Sequence, residues 1–322
     1  MGIEPVDIIV PVYNEELAVV KETIRSIHRA FNKHPGKYQV IIVNDGSKPS
    51  FGLEALREES DITLCEHEVN RGYGRALKTG ILAGSAPWIA ITDADGTYPV
   101  NELPKLVELM QGQDMVIGVR TGPINNIPLL RRFPKKLLNL SASYMAGVPI
   151  CDLNSGMRVF TRPLCYYLWP LFPSGFSFTS TITMGAHMSG FRVKERPINY
   201  FKREGHSSIK PIQDTVRFFR LVARLGLIFD PMKLFAPVAI ALFCIGIVKG
   251  FYFDFSSQGY IGNFSLLTII GAIQITMMGL LGKLIVHSRL VGTIHTNPSV
   301  PIGEKGEALR EHSISHARAV GE

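Results

Sequence analysis

The 322-residue chain is long enough for one large α/β domain with an appendage, and its mean hydropathy of +0.16, with 46% hydrophobic residues, is high for a protein surrounded by water. A formal charge of +7 points to an acidic partner: nucleic acid, anionic lipid or a phosphorylated substrate. Cys65, Cys151, Cys165 and Cys244 are scattered with no Cys-x-x-Cys pair, which argues against both a zinc site and a disulfide framework.

The chain enters an apolar run at once, from Val6 to Val10, with no basic segment and apolar stretch of signal-peptide type before it. The first domain is therefore expected in the cytosol. Further runs follow at Val40–Val43, Ile62–Cys65, Trp88–Ile91 and Met115–Val119. Short β-branched runs of this kind suit strands covered on both faces. Between them, Glu16 to Phe31, Gly72 to Ala83 and Glu102 to Met110 have helical spacing, with Asn14, Asn70 and Asn101 as expected N-caps. The alternation predicts an α/β fold, a mostly parallel sheet wrapped by helices. Ligands of such sheets bind beyond the carboxyl ends of the strands, where Tyr13-Asn14-Glu15, Asn44-Asp45-Gly46-Ser47 and Asp93-Ala94-Asp95 all fall.

Residues 121–205 are less regular, and Lys194 to Tyr200 reads as a further strand. A helix is predicted from Pro211 to Phe229, with Arg217, Arg220 and Arg224 forming a basic stripe beside Val216, Phe219, Val222 and Leu227. Such a helix suits an anionic membrane surface; a solvated helix packed on the first domain is the alternative. Leu234 to Val248, extended past Lys249 by Gly250 to Phe253, and Phe264 to Gly282, extended past Lys283 by Leu284 to Val286, are each long enough to cross a bilayer. Lys249, near the far end of its span, is expected to snorkel. The linker Asp254 to Asn263 has no Lys or Arg whereas both outer flanks are basic, so the positive-inside bias places both termini in the cytosol. Small residues at Gly246, Gly250, Gly271, Gly279 and Gly282 permit close helix contacts and leave a homo-oligomer open.

Asp93 and Asp95, one residue apart where an apolar run stops, can face one hard divalent cation. The spacing alone is weak, because turns use Asp freely. The wider set is more specific. Val10-Pro-Val-Tyr-Asn-Glu15, Val43-Asn-Asp-Gly-Ser47, Asn70-Arg-Gly-Tyr-Gly74 and Asp93-Ala-Asp95 resemble, in order and spacing, the family 2 glycosyltransferases. Asp152-Leu-Asn-Ser-Gly-Met-Arg158 and Arg203-Glu-Gly-His-Ser207 narrow the resemblance to the polyprenyl-phosphate glycosyltransferases, the group of dolichol-phosphate mannose synthase and the bactoprenol glucosyltransferases.

That resemblance implies a GT-A-type, Rossmann-like catalytic domain over residues 1–205 and a juxtamembrane amphipathic helix over 206–230. It also implies a two-helix transmembrane domain over 231–290 and a cytosolic tail over 291–322. It implies a nucleotide pocket lined by Pro11, Tyr13 and Glu15, with Asp45 reading the base or ribose of a UDP or GDP sugar. It places the donor sugar and metal side on Asp93, and Mg2+ or Mn2+ on Asp95. Asp152 and Arg158 would stand near the reacting centre. Arg120, with Arg131 or Arg132, would grip the acceptor phosphate, and Arg203 and Ser207 would contact phosphate groups. The chain departs from the family pattern at Asn44, at Thr97, where relatives often carry Gln, and at Gly156, where some bactoprenol enzymes carry an acid.

The expected reaction is inverting, metal-dependent transfer of one sugar to undecaprenyl or dolichyl phosphate in a bacterial or archaeal plasma membrane. The alternatives are the same fold acting on another lipid or glycan, and a non-catalytic scaffold that binds nucleotide sugar. Nucleic acid is disfavoured, since the basic residues cluster beside apolar spans rather than among exposed aromatics. His28, His34, His67, His187 and His206 have no metal-ligand spacing, and Gly72 and Gly74 do not follow the first strand as a dinucleotide fingerprint would.

Overall fold

The computed structural model describes residues 3–32, 34, 36–121, 140–175, 177–201, 211–256 and 259–296, with side chains excepted at 211–218 and 287–296. A mixed sheet of seven strands organises the chain as far as Asn199: β1 Val6–Val12, β2 Tyr38–Asp45, β3 Ile62–His67, β4 Trp88–Ile91, β5 Met115–Thr121, β6 Arg158–Thr161 and β7 Val193–Asn199. Their spatial order is β3-β2-β1-β4-β6-β5-β7. All the predicted strands are present. The addition is β6, which runs antiparallel to both β4 and β5, while the other pairs are parallel.

Alternation along β1 explains the layers. Ile8 and Val10 face α1 (Leu17–Phe31) and α3 (Leu103–Glu108), packing against Ile24, Ile27, Phe31 and Leu106. Ile9 faces the opposite way, with Ile41 and Val43, against α2 (Tyr73–Ala83), α5 (Arg162–Leu168) and α6 (Phe178–Met188). Side chains of fully buried Val, Ile, Leu and Phe contribute about 1.5–3 kcal/mol each, so the two layers carry most of the sheet's stability. The charge inside the first apolar run, Asp7, is held by Arg162 Nη2 at 2.7 Å and the Ala86 amide at 2.8 Å.

The expected N-caps are corrected. The cap positions of α1 and α2 are Glu16 and Gly72, and that of α3 is Glu102, none with a side-chain cap bond. Asn14 instead adopts a left-handed backbone (φ 53°) and accepts from the Lys48 amide at 3.0 Å, tying the loop after β1 to the loop after β2.

Beyond the sheet, α4 (described over residues 140–146) packs Ala142 and Met145 against Leu221, Val222 and Leu225 of α7 (Pro211–Phe229). Arg220 and Arg224 are exposed on α7, and so is Leu227. Helix α8 (Pro231–Val248) continues through wider π-type turns over Lys249–Phe255, and α9 runs from Asn263 to Thr296. The stretches Pro231–Phe255 and Asn263–Val286 are long and apolar enough to cross a membrane. The first span thus includes Asp254, which was expected in the linker, and helix extends six residues into the stretch expected as tail, up to Thr296.

At the turn end of the hairpin Lys249, expected to snorkel, bonds Asp254 Oδ1 through its Nζ at 2.7 Å, and Asp254 Oδ2 accepts from Ser265 Oγ at 2.6 Å and the Gly262 amide at 3.0 Å. Three of the hairpin's glycines sit where α8 and α9 meet, whereas Gly271 faces open space. A side chain at Gly246 would meet Ile269 and Thr268 at 2.7 Å, one at Gly279 would meet Met232 at 2.8 Å, and one at Gly282 would meet Pro231 at 3.0 Å. Gly246→Leu is therefore expected to force α8 and α9 apart, with an overpacking cost of about 1–3 kcal/mol. A thermal midpoint in detergent equal to that of the unaltered protein would contradict this packing.

Candidate active site

The carboxyl ends of β1, β2, β4 and β5 lie at one edge of the sheet. Because β6 is reversed, the segment entering it, Asp152 to Met157, arrives at that same edge. Arg158 stands in register with Ile91 of β4 and Ile117 of β5. The antiparallel strand therefore delivers the Asp-Leu-Asn-Ser-Gly-Met segment beside the loop that carries Asp93 and Asp95.

Asp93 and Asp95 are both partly buried. The Tyr73 hydroxyl donates to Asp93 Oδ1 at 3.0 Å, and the burial of Tyr73, then the nearby Asp93 charge, hold its phenol proton on well above the usual range. Gly156 lies directly against Asp93. A Cβ there would stand 2.5 Å from Asp93 Oδ2, so an acid at this position requires Asp93 to move. The amide of Gly156 donates to the Tyr98 hydroxyl at 2.7 Å, another phenol whose pKa is raised by burial and by Asp93. Asp95 Oδ1 accepts from both the amide and the hydroxyl of Thr97, at 3.1 and 2.6 Å. Thr97 thus braces Asp95 instead of offering a further cation ligand. Two braced carboxylates on one loop suit a hard cation whose remaining oxygens come from phosphate and water. Among the described residues no group of three or more His, Cys, Asp or Glu could form a complete protein cage.

Arg120, at the end of β5, donates from Nε and Nη2 to Asp152 at 2.7 and 2.8 Å, and its backbone amide reaches Asp152 Oδ2 at 3.2 Å. The guanidinium also lies over the Tyr200 ring, 5.3 Å from its centroid, and Tyr200 meets Tyr98 edge-on. Burial disfavours both charges, but their pairing outweighs it: Asp152 is held below the usual carboxylate range and Arg120 above its ordinary value. Arg120, expected as a phosphate grip, and Asp152, expected near the reacting centre, form an ion pair.

Two further candidate residues, Arg158 and Asp45, are buried. Arg158 is 0% exposed and donates to the Ser155 and Thr179 carbonyls and the Thr183 hydroxyl, so it cannot touch a reacting group. Burial pushes its pKa down to about 10, which still leaves it charged at neutral pH. It works as a buried pin between β6 and α6. Asp45, 3% exposed, accepts from the Arg71 and Gly72 amides at 2.9 and 2.8 Å and from His67 Nδ1 at 2.6 Å. A carboxylate so occupied shapes the turn beside it. Tyr13, 46% exposed, and partly buried Pro11 and Glu15 lie at the end of β1 and on the loop that Asn14 ties to the loop after β2. Arg131, Arg132, Arg203 and Ser207 lie outside the described residues. The residues missed from sequence are Tyr73, Tyr98 and Tyr200, whose positions beside the motifs were the available signal, and His67, which had been set aside for lack of metal spacing.

The family model described as glycosyl transferase family 2 matches residues 7–167, and that described as the GtrB C-terminal hairpin matches residues 230–287. A dolichyl-phosphate hexose transferase of Haloferax volcanii is 30% identical over 63% of this chain and 86% of its own length. An undecaprenyl-phosphate 4-deoxy-4-formamido-L-arabinose transferase of Pseudomonas paraeruginosa is 26% identical over 92% of this chain and 88% of its own. Among solved structures, glucosyl-3-phosphoglycerate synthase of Mycobacterium tuberculosis, in complex with Mn2+, UDP and glucosyl-3-phosphoglycerate, shares the fold. Its TM-score is 0.51 at 19% identity, covering 69% of this chain and 79% of that one. The chain is a glycosyltransferase and belongs to glycosyl transferase family 2.

Proposed function

We propose that the protein transfers one sugar, with inversion, from a nucleotide diphosphate sugar to polyprenyl phosphate at the cytosolic face of a membrane. The observation that carries this reading is one sheet edge holding the braced acids Asp93 and Asp95 beside the Arg120–Asp152 pair, on a domain continuous with an apolar hairpin. Relatives named for undecaprenyl- and dolichyl-phosphate transfer support the acceptor class.

The chain's own residues divide the work. Tyr13, Pro11 and Glu15 line the mouth where a nucleotide would lie, and the turn at Arg71–Gly72 borders it. Asp95 and Asp93 would hold Mg2+ or Mn2+, which when bound supplies charge neutralisation for a departing diphosphate. Tyr73 keeps Asp93 facing the donor side, and Thr97 fixes the rotamer of Asp95. A phosphate monoester has its second pKa near about 6 and is mostly dianionic at neutral pH, so it attacks without surrendering a proton to the protein. That suits a site in which Gly156 leaves no side chain to act as a base. Arg120 meets the acceptor already neutralised by Asp152, so further cations are needed for the incoming anion. Arg131, Arg132 and Arg203 are proposed as those cations, with Ser207 as a hydroxyl donor to phosphate.

The membrane has a physical reason. At about 0.8 kcal/mol per buried CH2, a long isoprenoid cannot leave the bilayer, so the site must come to the headgroup layer. Exposed Arg220 and Arg224 on α7 suit an anionic surface. The stretch Asp254 to Asn263 between the two helices has no Lys or Arg whereas both outer flanks do, which supports a cytosolic placement of both ends.

Purified protein incubated with Mn2+, a panel of nucleotide sugars and undecaprenyl or dolichyl phosphate is expected to yield a polyprenyl-phosphate sugar by mass spectrometry of the lipid fraction. Asp95→Ala should lower that yield by about 100-fold or more while leaving the protein in the membrane fraction. Normal transfer by this variant would end the metal assignment. Arg120→Ala strands Asp152 as a buried, uncompensated anion, whereas Arg120→Ala with Asp152→Asn does not. The double variant should therefore transfer faster than the single one; additive losses would show that the pair does not act as a unit. Transfer should fall as pH drops below about 6, where the acceptor becomes a monoanion. Asp152, with its pKa depressed, stays charged throughout that window and titrates only below the usual carboxylate range. The acid limb should hence keep its midpoint in Asp152→Asn, and a shifted midpoint would assign the proton to the protein.

A further inference from the structure

Five contacts connect the middle of α2 to the acid pair, and their first side-chain link is a histidine that the proposed reaction does not use. Strands β2 and β3 end in register, with Asp45 opposite His67. His67 Nδ1 lies 2.6 Å from Asp45 Oδ1 and its Nε2 lies 2.9 Å from Thr79 Oγ1 on α2. An ionised carboxylate only accepts, so Nδ1 carries a proton, and in the neutral ring Nε2 accepts from the Thr79 hydroxyl. Asp45 also accepts from the amides of Arg71, on Oδ1, and Gly72, on Oδ2. On its other side this turn is pinned to the loop before α6. Arg75 donates to the Ser174 carbonyl at 3.0 Å, and Gly72, with φ of 93°, has that carbonyl 2.7 Å from where a Cβ would be. The next residue is Tyr73, whose hydroxyl reaches Asp93.

We propose that His67 is a positioning residue for nucleotide diphosphate binding. Through Asp45 it fixes the Arg71–Gly72 turn that borders the donor mouth, and through that turn it sets where Tyr73 meets Asp93. The inference rests on the donor reading above and adds to it the residue that orders the pocket wall. The geometry requires a donor at the Nδ1 position in particular. Without it Asp45 keeps only the two amides and can rotate, and the turn loses its fixed partner. A contact to Thr79 alone would hold the ring but leave Asp45 unset.

Two isosteric replacements separate these roles. The amide nitrogen of His67→Asn can stand where Nδ1 stands and donate to Asp45, whereas that of His67→Gln stands near Nε2 and reaches toward Thr79. Full-length protein in detergent, with Mn2+, is titrated with UDP and with GDP, and the steady-state KM is measured for donor and for lipid acceptor. His67→Gln and His67→Ala are expected to weaken nucleotide binding and raise donor KM about tenfold, the loss of one hydrogen bond to a charged group, with acceptor KM unchanged. His67→Asn is expected to recover most of that loss, and its thermal midpoint should match that of the Gln variant, so that stability does not account for the difference. Equal donor KM values for the Asn and Gln variants, or parallel changes in donor and acceptor KM, would overturn the proposal. Unaltered protein that binds neither nucleotide and transfers no sugar would overturn the donor reading and this inference with it. Unaltered protein that binds while His67→Gln binds equally well removes this inference alone.

Discussion

One reversed strand makes the site possible. Had β6 run with its neighbours, the segment before it would leave the sheet at the opposite edge, and Asp152 and Gly156 could not stand beside Asp93 and Arg120. Its hold on that place comes from Arg158, a buried cation satisfied by two carbonyls and a hydroxyl on the segment before β6 and on α6. A fully desolvated guanidinium is costly unless its donors are met, so this packing tolerates little slippage in register. The reacting edge thus inherits its precision from a side chain that no substrate can reach.

Around that edge, charge is compensated locally. Asp152 is balanced by Arg120, and Asp45 by backbone amides and an imidazole. Asp95 is braced by the threonine two residues on, and Asp93 by a phenol. Such compensation explains how four carboxylates can crowd a small region without repelling one another apart. It also defines chemical roles. Side chains saturated by internal donors hold shape, and those at the mouth, such as Tyr13, remain for contact with ligands.

Much of this was legible in the residues because it followed from periodicity. Strands β1, β2, β3 and β5 are runs rich in β-branched residues, and the polar motifs follow the carboxyl ends of β1, β2 and β4. Strand β6 was not legible, since it is only four residues long, begins with an arginine and has just Val159 and Phe160 as an apolar signal. The N-caps failed because Asn14 serves a loop-to-loop bond, a long-range use that local spacing does not encode. Motif resemblance located Asp45, Arg120 and Arg158 in the right region but not their partners. Whether a charged side chain meets a ligand or another side chain depends on contacts such as Arg120 with Asp152, 32 residues away. The glycines of the hairpin show the same limit: their spacing marks a close helix contact without saying which helix supplies the other surface.

The polar clamp at the far end of that hairpin has a consequence for how such a structure enters a bilayer. Lys249 and Asp254, joined five residues apart, move together as a dipole rather than as two ions. A membrane voltage does work of about 2.3 kcal/mol per elementary charge per 100 mV, but on a neutral pair translocated as a unit the two contributions cancel. Insertion turn-first would then be insensitive to the electrical polarity of the host membrane, and retention of the basic end on its starting side would alone decide orientation.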